Sequence, residues 1–351
     1  MKGTVRFGLV GTGRITDWVL KGAREDFRFK AVAVCSRSME SGRAFALSHG
    51  IPAAFDNLDE MLRLPGLDAV YIGTPNHTHA GIAVKCMRAG KHVLCEKPLA
   101  SNAEEAAMMV AEARRCGVIL MEAMISTLSP NFSKVADMLP KLGAIRLYSA
   151  SYCQYSSKYD ALKAGKVSSS FDPLCSGGAL MDIGIYTIWP MVALLGEPDE
   201  VSAQMTTYDI TGHGTTDLQG QAVFKYPGMA ACVSWSKIAD SFLPTEVSGE
   251  NGNLLLDQVH ICRQVTYRPH GAPSSGRGER SGAVDLTQPC GHDDYFYEFR
   301  EFIDCVLSGR ESLVNSPDTS VAVMRVIDSI KREANLTASR SAHRWFPSQL
   351  R

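Results

Sequence analysis

The stretch Val-Arg-Phe-Gly-Leu-Val-Gly-Thr-Gly-Arg-Ile-Thr, residues 5–16, decides the fold of the first part of the chain. An apolar run stops at Gly11 and Gly13, and a helix-compatible segment follows, which predicts a strand, a tight turn and a helix start. Glycine lets a ligand approach the backbone closely, and a helix N-terminus suits a pyrophosphate. The third small position of the dinucleotide fingerprint holds Thr16, so a turn used only for packing is the alternative. The residues expected to contact a dinucleotide here are Gly11, Thr12, Gly13, Arg14 and Ile15.

Between residues 5 and 121, continuous apolar runs alternate with helix-like segments. Continuous runs are typical of strands that are buried on both faces, and the alternation favours an α/β fold with a doubly wound parallel sheet. The ligand crevice of such a sheet lies beyond the carboxyl ends of its strands. We therefore expect residues 1–123 to form a dinucleotide-binding domain. The predicted strands are Val5–Val10, Lys30–Cys35, Ala69–Gly73, His92–Cys95 and Val118–Met121. The predicted helices are Arg14–Arg24, Met39–His49, Leu58–Leu64, Ala80–Ala89 and Ala103–Cys116.

After about Met121 the pattern changes, and strands follow one another with few helices between them. Tyr226-Pro-Gly and Glu250-Asn-Gly are typical of hairpin turns. Residues 124–351 are therefore expected to form an α+β domain with an open, mainly antiparallel sheet. An exposed apolar face on this sheet would need a partner, which predicts a homo-oligomer, either a dimer or a tetramer.

The composition excludes several classes of function. A net charge of −1 over 351 residues predicts neither nucleic acid nor an acidic membrane as a partner, and no uninterrupted apolar segment is expected to reach membrane-spanning length. The first strand pattern begins at Val5, which leaves no room for a signal peptide. Ten cysteines without a Cys-x-x-Cys pair favour free thiols in a reducing cytoplasm. Cys290-Gly-His292 lacks further ligands at metal spacing, so no metal site is predicted.

The tip of the second strand carries a signal for the type of nucleotide. An NAD site usually has an acidic residue there for the ribose hydroxyls, but this chain has Ser36 and Arg37. A hydroxyl and a guanidinium suit a 2′-phosphate through charge-assisted hydrogen bonds. The alternative is that Ser36 caps the next helix and that Arg37 is solvated. The pattern predicts NADP as the cofactor, with NAD possible.

Four motifs then occur in order along the chain. They are Gly-Leu-Val-Gly-Thr-Gly-Arg-Ile at 8–15, Gly-Thr-Pro-Asn-His-Thr-His at 73–79, Cys-Glu-Lys-Pro-Leu at 95–99 and Gly-Gly-Ala-Leu-Met-Asp-Ile-Gly-Ile-Tyr at 177–186. Together they resemble the glucose–fructose oxidoreductase / inositol dehydrogenase / MocA family over nearly the whole chain. Tyrosine at position 186 resembles the branch of dimeric dihydrodiol dehydrogenases and NADP-linked aldose dehydrogenases. The segment Met124–Pro130 departs from that branch, because it lacks the aromatic residue and the arginine that often precede its proline.

The resemblance implies a Rossmann domain followed by an α+β domain whose open sheet serves dimer contacts. It also implies hydride exchange between NADP and a carbon that bears a hydroxyl or carbonyl group. After the predicted strand Ala69–Gly73 it brings His79 near the cofactor, whereas a solvated residue at a helix start is the alternative. Asn76 can cap that helix, and Thr74 can touch the ribose or phosphate. The cofactor contacts expected after the predicted strands Ala69–Gly73 and His92–Cys95 are Thr74, Asn76, His77, His79, Glu96 and Lys97.

Hydride transfer from an alcohol needs a group that takes the hydroxyl proton and a charge that stabilises the alkoxide. Lys97, at a strand tip before Pro98, can supply the charge; a surface lysine paired with Glu96 is the alternative. Asp182 and Tyr186 lie four residues apart on the predicted helix Gly178–Leu195 and therefore share a face. An unpaired Asp182 in this apolar run would be costly, so we expect it to bind Lys97.

Tyr186 is then the expected proton donor or acceptor, with its phenolate favoured by the nearby ammonium. The alternative makes Tyr186 a core residue and Asp182 part of a salt bridge between helix and loop. The predicted function is an NAD(P)-dependent oxidoreductase that acts on a sugar, a polyol or a dihydrodiol-like cyclic alcohol through Lys97, Asp182 and Tyr186. A nucleotide-binding regulator that keeps the fold without turnover is the second hypothesis.

Overall fold

The computed structural model describes residues 3–270 and 282–335. Its first part is a parallel six-stranded sheet with the order β3-β2-β1-β4-β5-β6. The strand order reverses beside β1, which has β2 on one side and β4 on the other, so a crevice opens beyond the carboxyl ends of these strands. The strands are β1 (Val5–Val10), β2 (Phe29–Cys35), β3 (Ala53–Phe55), β4 (Ala69–Ile72), β5 (His92–Glu96) and β6 (Leu120–Ala123).

Five helices cover the two faces of this sheet. Met39–His49 and Ala103–Cys116 form with the predicted bounds, and the doubly wound α/β arrangement is confirmed. The sequence analysis missed β3, because three half-buried residues at a sheet edge give no periodic pattern. The helices are α1 (Arg14–Ala23), α2 (Met39–His49), α3 (Leu58–Leu62), α4 (His79–Arg88) and α5 (Ala103–Cys116).

The second part is built on an eight-stranded sheet with the order β14-β13-β12-β11-β7-β10-β9-β8. The predicted hairpins are present, since Tyr226 pairs with Met229 and Gly249 pairs with Gly252. The sheet is mainly antiparallel, as expected, but mixed, because β7 and β10 run parallel. The strands are β7 (Ile145–Cys153), β8 (Glu200–Ile210), β9 (Gly214–Tyr226), β10 (Met229–Ser236), β11 (Thr245–Gly249), β12 (Gly252–Leu256), β13 (Val265–Pro269) and β14 (Val284–Asp285).

The helices of the second part connect the two sheets. The helix Asp294–Ser308, near the end of the described chain, returns to the parallel sheet. Its Phe299 ring lies 5.6 Å from Phe7 and 5.3 Å from Phe29 between centroids. The helix Pro317–Glu333 packs against both α5 and the helix that carries Tyr186. These helices therefore link the two parts of the chain. These helices are α6 (Pro130–Met138), α7 (Tyr159–Lys163), α8 (Ile185–Leu195), α9 (Asp294–Ser308) and α10 (Pro317–Glu333).

Two expectations about the chain as a whole have different outcomes. All ten cysteines are unpaired, as expected. The expectation about membrane-spanning length is wrong for Pro173–Leu195, which is long and apolar enough by length and hydropathy alone. In this structure 72% of its 18-residue apolar window is buried inside the protein, which is typical of a core helix.

Candidate active site

The glycine turn between β1 and α1 leaves room for a ligand. Gly11 has a φ of +104°, and a Cβ there would lie 2.4 Å from the carbonyl oxygen of Gly73, so only glycine fits. A Cβ on Gly13 would meet nothing within 4 Å. Gly13 is also the N-cap of α1 and gives it no side-chain cap, which leaves the first N–H groups of the helix open. The buried Oγ1 of Thr16 has no hydrogen-bond partner within residues 3–270 and 282–335. These features fit the pyrophosphate of a dinucleotide.

The tip of β2 presents the two groups predicted for a 2′-phosphate. Arg37 is exposed and forms no hydrogen bond or ion pair with the described part of the chain. The Ser36 Oγ lies 3.4 Å from Thr12 Oγ1 in the glycine turn. The cap of α2 is Ser38, whose side chain accepts from Ser41 N–H. The alternative in which Ser36 caps this helix is therefore wrong.

The tip of β4 is tied to its surroundings by side chains. The His79 ring is fully buried, with Nδ1 2.9 Å from the Pro98 carbonyl oxygen and Nε2 2.9 Å from that of Thr74. The solvated alternative for His79 is wrong, and burial lowers its pKa. Asn76 does not cap the helix, since its Nδ2 donates to the Ser176 carbonyl of the second domain at 2.9 Å. His77 is exposed.

Lys97, at the tip of β5, makes the expected ion pair with Asp182. Its Nζ donates to Oδ1 of Asp182 at 3.2 Å and to the backbone carbonyl of the same residue at 2.6 Å. The other carboxylate oxygen, Oδ2, accepts from Lys237 Nζ at 2.6 Å. Burial would raise the pKa of Asp182, but the two ammonium groups hold that pKa below its usual value. The electrostatic attraction of Lys97 lowers it more than that of Lys237. The carboxylate of Asp182 therefore stays ionised between two lysines.

Tyr186 lies beside this ion pair on α8. The Lys97 Nζ is 5.0 Å from the centroid of the Tyr186 ring, so an ammonium and a phenol from different domains meet in the crevice. Burial first, and then the charge of Glu96, raise the pKa of Tyr186 well above its ordinary value. The expectation that Lys97 favours the phenolate is wrong, because the desolvation of the ring outweighs one neighbouring ammonium.

An aromatic wall extends from Tyr186. The Tyr152 ring on β7 stacks on His260 with centroids 4.0 Å apart and an interplanar angle of 5°. Both rings meet the Tyr186 ring edge-on, at 5.6 and 6.3 Å between centroids. Burial lowers the pKa of His260 to about 4, so this ring is neutral at physiological pH. The wall therefore presents apolar faces and uncharged edges next to Lys97.

Two buried carboxyl groups lie on the parallel-sheet side of the site. Glu96 accepts from the Tyr71 hydroxyl at 2.8 Å. Glu298, on α9, is 1% exposed, and its Oε1 has no hydrogen-bond partner among the described residues. Burial raises the pKa of both groups, and the negative charge that Glu96 can carry raises that of Glu298 further. The two carboxyl groups therefore hold protons more tightly than exposed ones.

Local backbone structure aims Asp182 and Tyr186 at Lys97. The predicted helix Gly178–Leu195 begins with a π-helical turn, Leu180–Gly184, before it continues as α8. Gly184 allows the close approach of the turn to the Trp235 indole, where a Cβ would lie 3.0 Å from the ring. Such turns are often found at functional sites.

The sequence analysis missed Lys237, Tyr152 and His260. A carboxylate has two oxygens and several acceptor positions, so an aspartate in this apolar run could have prompted a search for a second cation. Lys237 follows directly after the apolar strand β10, which is the one local signal for it. Nothing in the sequence pattern singles out Tyr152 or His260.

The fold and these residues define a dinucleotide-dependent oxidoreductase. Residues 5–124 match the oxidoreductase family with an NAD-binding Rossmann fold, and residues 138–255 match the GFO/IDH/MocA C-terminal domain. The chain belongs to this Gfo/Idh/MocA family, as the sequence motifs predicted. It is an NAD(P)-dependent oxidoreductase that acts on CH–OH or C=O groups. The second hypothesis, a regulator without turnover, has no support from the related proteins.

Similar proteins span nearly the same length. The chain is 39% identical to scyllo-inositol 2-dehydrogenase (NADP(+)) IolU of Bacillus subtilis, over 95% of this chain and 98% of that protein. It is 32% identical to trans-1,2-dihydrobenzene-1,2-diol dehydrogenase of Oryctolagus cuniculus, over 90% and 93%. The crystal structure of KijD10, a 3-ketoreductase from Actinomadura kijaniata in complex with NADP and TDP-benzene, superposes with a TM-score of 0.78 at 25% identity, over 94% and 98%.

Proposed function

We propose that this protein transfers hydride between NADP and a secondary alcohol carbon of a cyclic polyol or sugar. The observation that carries the proposal is the meeting of Lys97 and Tyr186 in the crevice, 5.0 Å between the Lys97 Nζ and the ring centroid. The glycine turn supports the same conclusion, because it leaves the N-terminus of α1 open for a pyrophosphate at the other end of the crevice.

Lys97 holds the substrate oxygen and stabilises negative charge on it. Two of its N–H groups are directed to Asp182, which leaves the third for the substrate. An ammonium fixed before the reaction stabilises an alkoxide without further reorganisation. Asp182 orients Lys97 rather than touching the reacting carbon. When bound, NADP accepts the hydride in oxidation, and NADPH supplies it in reduction.

Tyr186 transfers the proton of the substrate oxygen. Because its pKa is raised, its phenol stays protonated at neutral pH and is ready to donate to a carbonyl oxygen. Alcohol oxidation requires the same phenol to lose its proton first. The site is therefore adapted to reduction at neutral pH, and oxidation accelerates as the pH rises.

The NADP preference rests on the tip of β2. Arg37 is the exposed cation there, and Ser36 adds a hydroxyl beside Thr12. A guanidinium can bind a phosphate through two parallel hydrogen bonds. The backbone around Gly11–Ile15 holds the pyrophosphate, while His79 positions the Thr74 carbonyl and thereby the tip of β4. Asn76 joins this tip to the second domain.

The substrate class follows from the walls of the site. Stacked Tyr152 and His260 present apolar ring surfaces, while Lys97 and Tyr186 supply polar groups on the other side. This combination suits a ring that carries hydroxyl groups and has C–H faces, as in an inositol or a pyranose. The similarity to the NADP-dependent scyllo-inositol dehydrogenase supports the same class.

The test mixes the purified protein with NADP or NAD and a panel of inositols, aldoses and dihydrodiols. We expect reduced nicotinamide to appear with NADP and at least one cyclic polyol or sugar. Tight binding of NADP without turnover on the whole panel, in either direction, would overturn the proposal. Turnover with dihydrodiols alone would keep the reaction type and change the substrate class.

We also propose a homo-oligomer that forms through the open face of the eight-stranded sheet, in the cytoplasm. Val223 on β9 is 55% exposed and Leu147 on β7 is 37% exposed on that sheet, and a second copy of the sheet would cover both. A mass equal to one chain by light scattering would exclude the oligomer.

A further inference from the structure

The ion pair of Lys97 and Asp182 has a third member that the roles above do not use. Lys237 directs its Nζ to Oδ2 of Asp182 at 2.6 Å and to the Ser170 carbonyl oxygen at 2.9 Å. The same Nζ lies 4.0 Å from the centroid of the Phe171 ring. The side chain is 3% exposed, against 14% for Lys97. Lys237 is therefore enclosed by the protein and can act on the substrate only through Asp182.

The two lysines divide the carboxylate of Asp182 between them. Oδ2 is 2.6 Å from Lys237, and Oδ1 is 3.2 Å from Lys97. One carboxylate between two ammonium groups leaves one uncompensated positive charge. The contact to Lys237 is the shorter and more buried one, so Lys237 shares with Lys97 the compensation of the Asp182 charge. Without Lys237, the carboxylate would neutralise Lys97, and less charge would remain for an alkoxide.

Other charged groups around Lys237 do not take over this role. Asp217 on β9 has its Oδ2 bound by Leu180 N–H at 2.7 Å and by Trp235 Nε1 at 3.1 Å, and burial raises its pKa. The Nζ of Lys158 donates to the Ser170 hydroxyl at 3.5 Å. Burial lowers the pKa of Lys237, while Asp182 opposes that change. Asp182 is thus the carboxylate to which Lys237 donates directly.

We propose that Lys237 is a positioning residue for the reaction, which fixes Asp182 and cancels its charge so that Lys97 presents an uncompensated ammonium to the substrate oxygen. The inference rests on the proposed function for its kinetic consequence. Its electrostatic part concerns the free protein and can be measured without any substrate.

The test replaces Lys237 by Met, which removes the charge, and by Arg, which keeps it. With NADP and scyllo-inositol, the Lys237→Met variant should lose about tenfold in kcat/KM at neutral pH. The rising limb of its profile of kcat/KM against pH, which reports the deprotonation of Tyr186, should move up by about one pH unit. This is the size expected for one charge removed at a few ångströms in a partly screened site. Lys237→Arg should restore the position of the limb.

A matched control is Lys331→Met. Lys331 is a half-buried lysine, and it donates to the Ser101 carbonyl at 3.4 Å without contacting Asp182. Its removal should leave the position of the pH limb unchanged. If Lys237→Met does not fold, Lys237→Gln carries the test, because glutamine keeps a hydrogen-bond donor and lacks the charge. A loss of kcat/KM of the same size at every pH, with the rising limb of the pH profile unchanged in position, would show a purely structural role and would overturn the inference.

A readout without substrate separates this inference from the proposed function. Carbon NMR of the Asp182 carboxyl, assigned with the Asp182→Asn variant, should show protonation beginning at a higher pH in Lys237→Met than in the wild type, because one of the two ammonium groups that hold its pKa low is gone. An unchanged Asp182 titration would overturn the inference even if the enzyme oxidises polyols. If the wild type turns over no polyol but the Asp182 titration moves, the proposed function fails and the electrostatic role of Lys237 stands.

Discussion

Replacement of Lys97 by Met tests the centre of the proposed mechanism. The variant keeps most of the side-chain volume and removes the ammonium that donates to the Asp182 carbonyl at 2.6 Å. A unit charge and an alkoxide about 4 Å apart interact by about 4 kcal/mol at an effective dielectric constant near 20. The expected loss in kcat is therefore about 10³-fold.

The same change should disturb folding far less than catalysis. Asp182 keeps its 2.6 Å contact with Lys237, so the half-buried carboxylate is not left unpaired, which would be costly. We expect Tm to fall by only a few degrees and the affinity for NADP, measured by fluorescence titration, to stay within about threefold. The matched control is Lys91→Met, which removes a lysine bound to the Leu67 carbonyl at 2.9 Å, away from the crevice.

The assay is the steady-state rate of NADPH formation with the best polyol of the panel, at saturating cofactor. A Lys97→Met variant that retains more than about a tenth of the wild-type kcat would refute the reasoning. So would an equal loss in Lys91→Met, because that control leaves the crevice intact.

Three further outcomes follow from the site. Arg37→Ala should weaken NADP binding by about 10–100-fold, the range for a hydrogen-bonded charge, with little change for NAD; equal losses in a titration with each cofactor would contradict the 2′-phosphate role. Alcohol oxidation should accelerate from neutral to alkaline pH because the pKa of Tyr186 is raised, and Tyr186→Phe should lose this rise together with about 10²-fold in rate; a wild-type profile that is flat over this range would count against Tyr186. Glu298 binds its proton more tightly when folded than at its ordinary pKa of 4.5, so it destabilises the protein increasingly as the pH rises above that value. Glu298→Gln should therefore raise Tm more at alkaline pH than near pH 5, and an equal rise at both pH values would contradict this.

The first domain was predictable because its signals are local. Gly11 and Gly13 end an apolar run and open a helix, and the strand–helix alternation that follows admits few topologies. Asn102 caps α5, and Gly117 ends it in the left-handed conformation, which fixed both bounds of this helix. The edge strand β3 has only three residues, and it is held by pairing with β2 rather than by a pattern of its own.

The site was predictable to the extent that sequence motifs carry its residues. The pair of Lys97 and Asp182 joins residues 85 positions apart, and it was expected because a carboxylate in an apolar run needs a cation. The protonation of Tyr186 was not predictable in the same way. It depends on how much water the second domain excludes around the ring, and burial dominates its pKa.

Lys237 shows most clearly why part of the site could not be predicted from the sequence. A lysine at the end of an apolar strand is ordinarily a solvated residue, and its contact with Asp182 exists only because β10 packs against the π-helical turn. That packing converts a two-residue ion pair into a triad with one net positive charge. The pair of Lys97 and Asp182 alone carries no net charge, so it would favour the alkoxide over the hydroxyl less than the charged triad does, at a cost in kcat. In the proposed role of Lys237, a triad with a charge left over favours the alkoxide more strongly than the pair does, so its placement raises kcat rather than the affinity for the substrate.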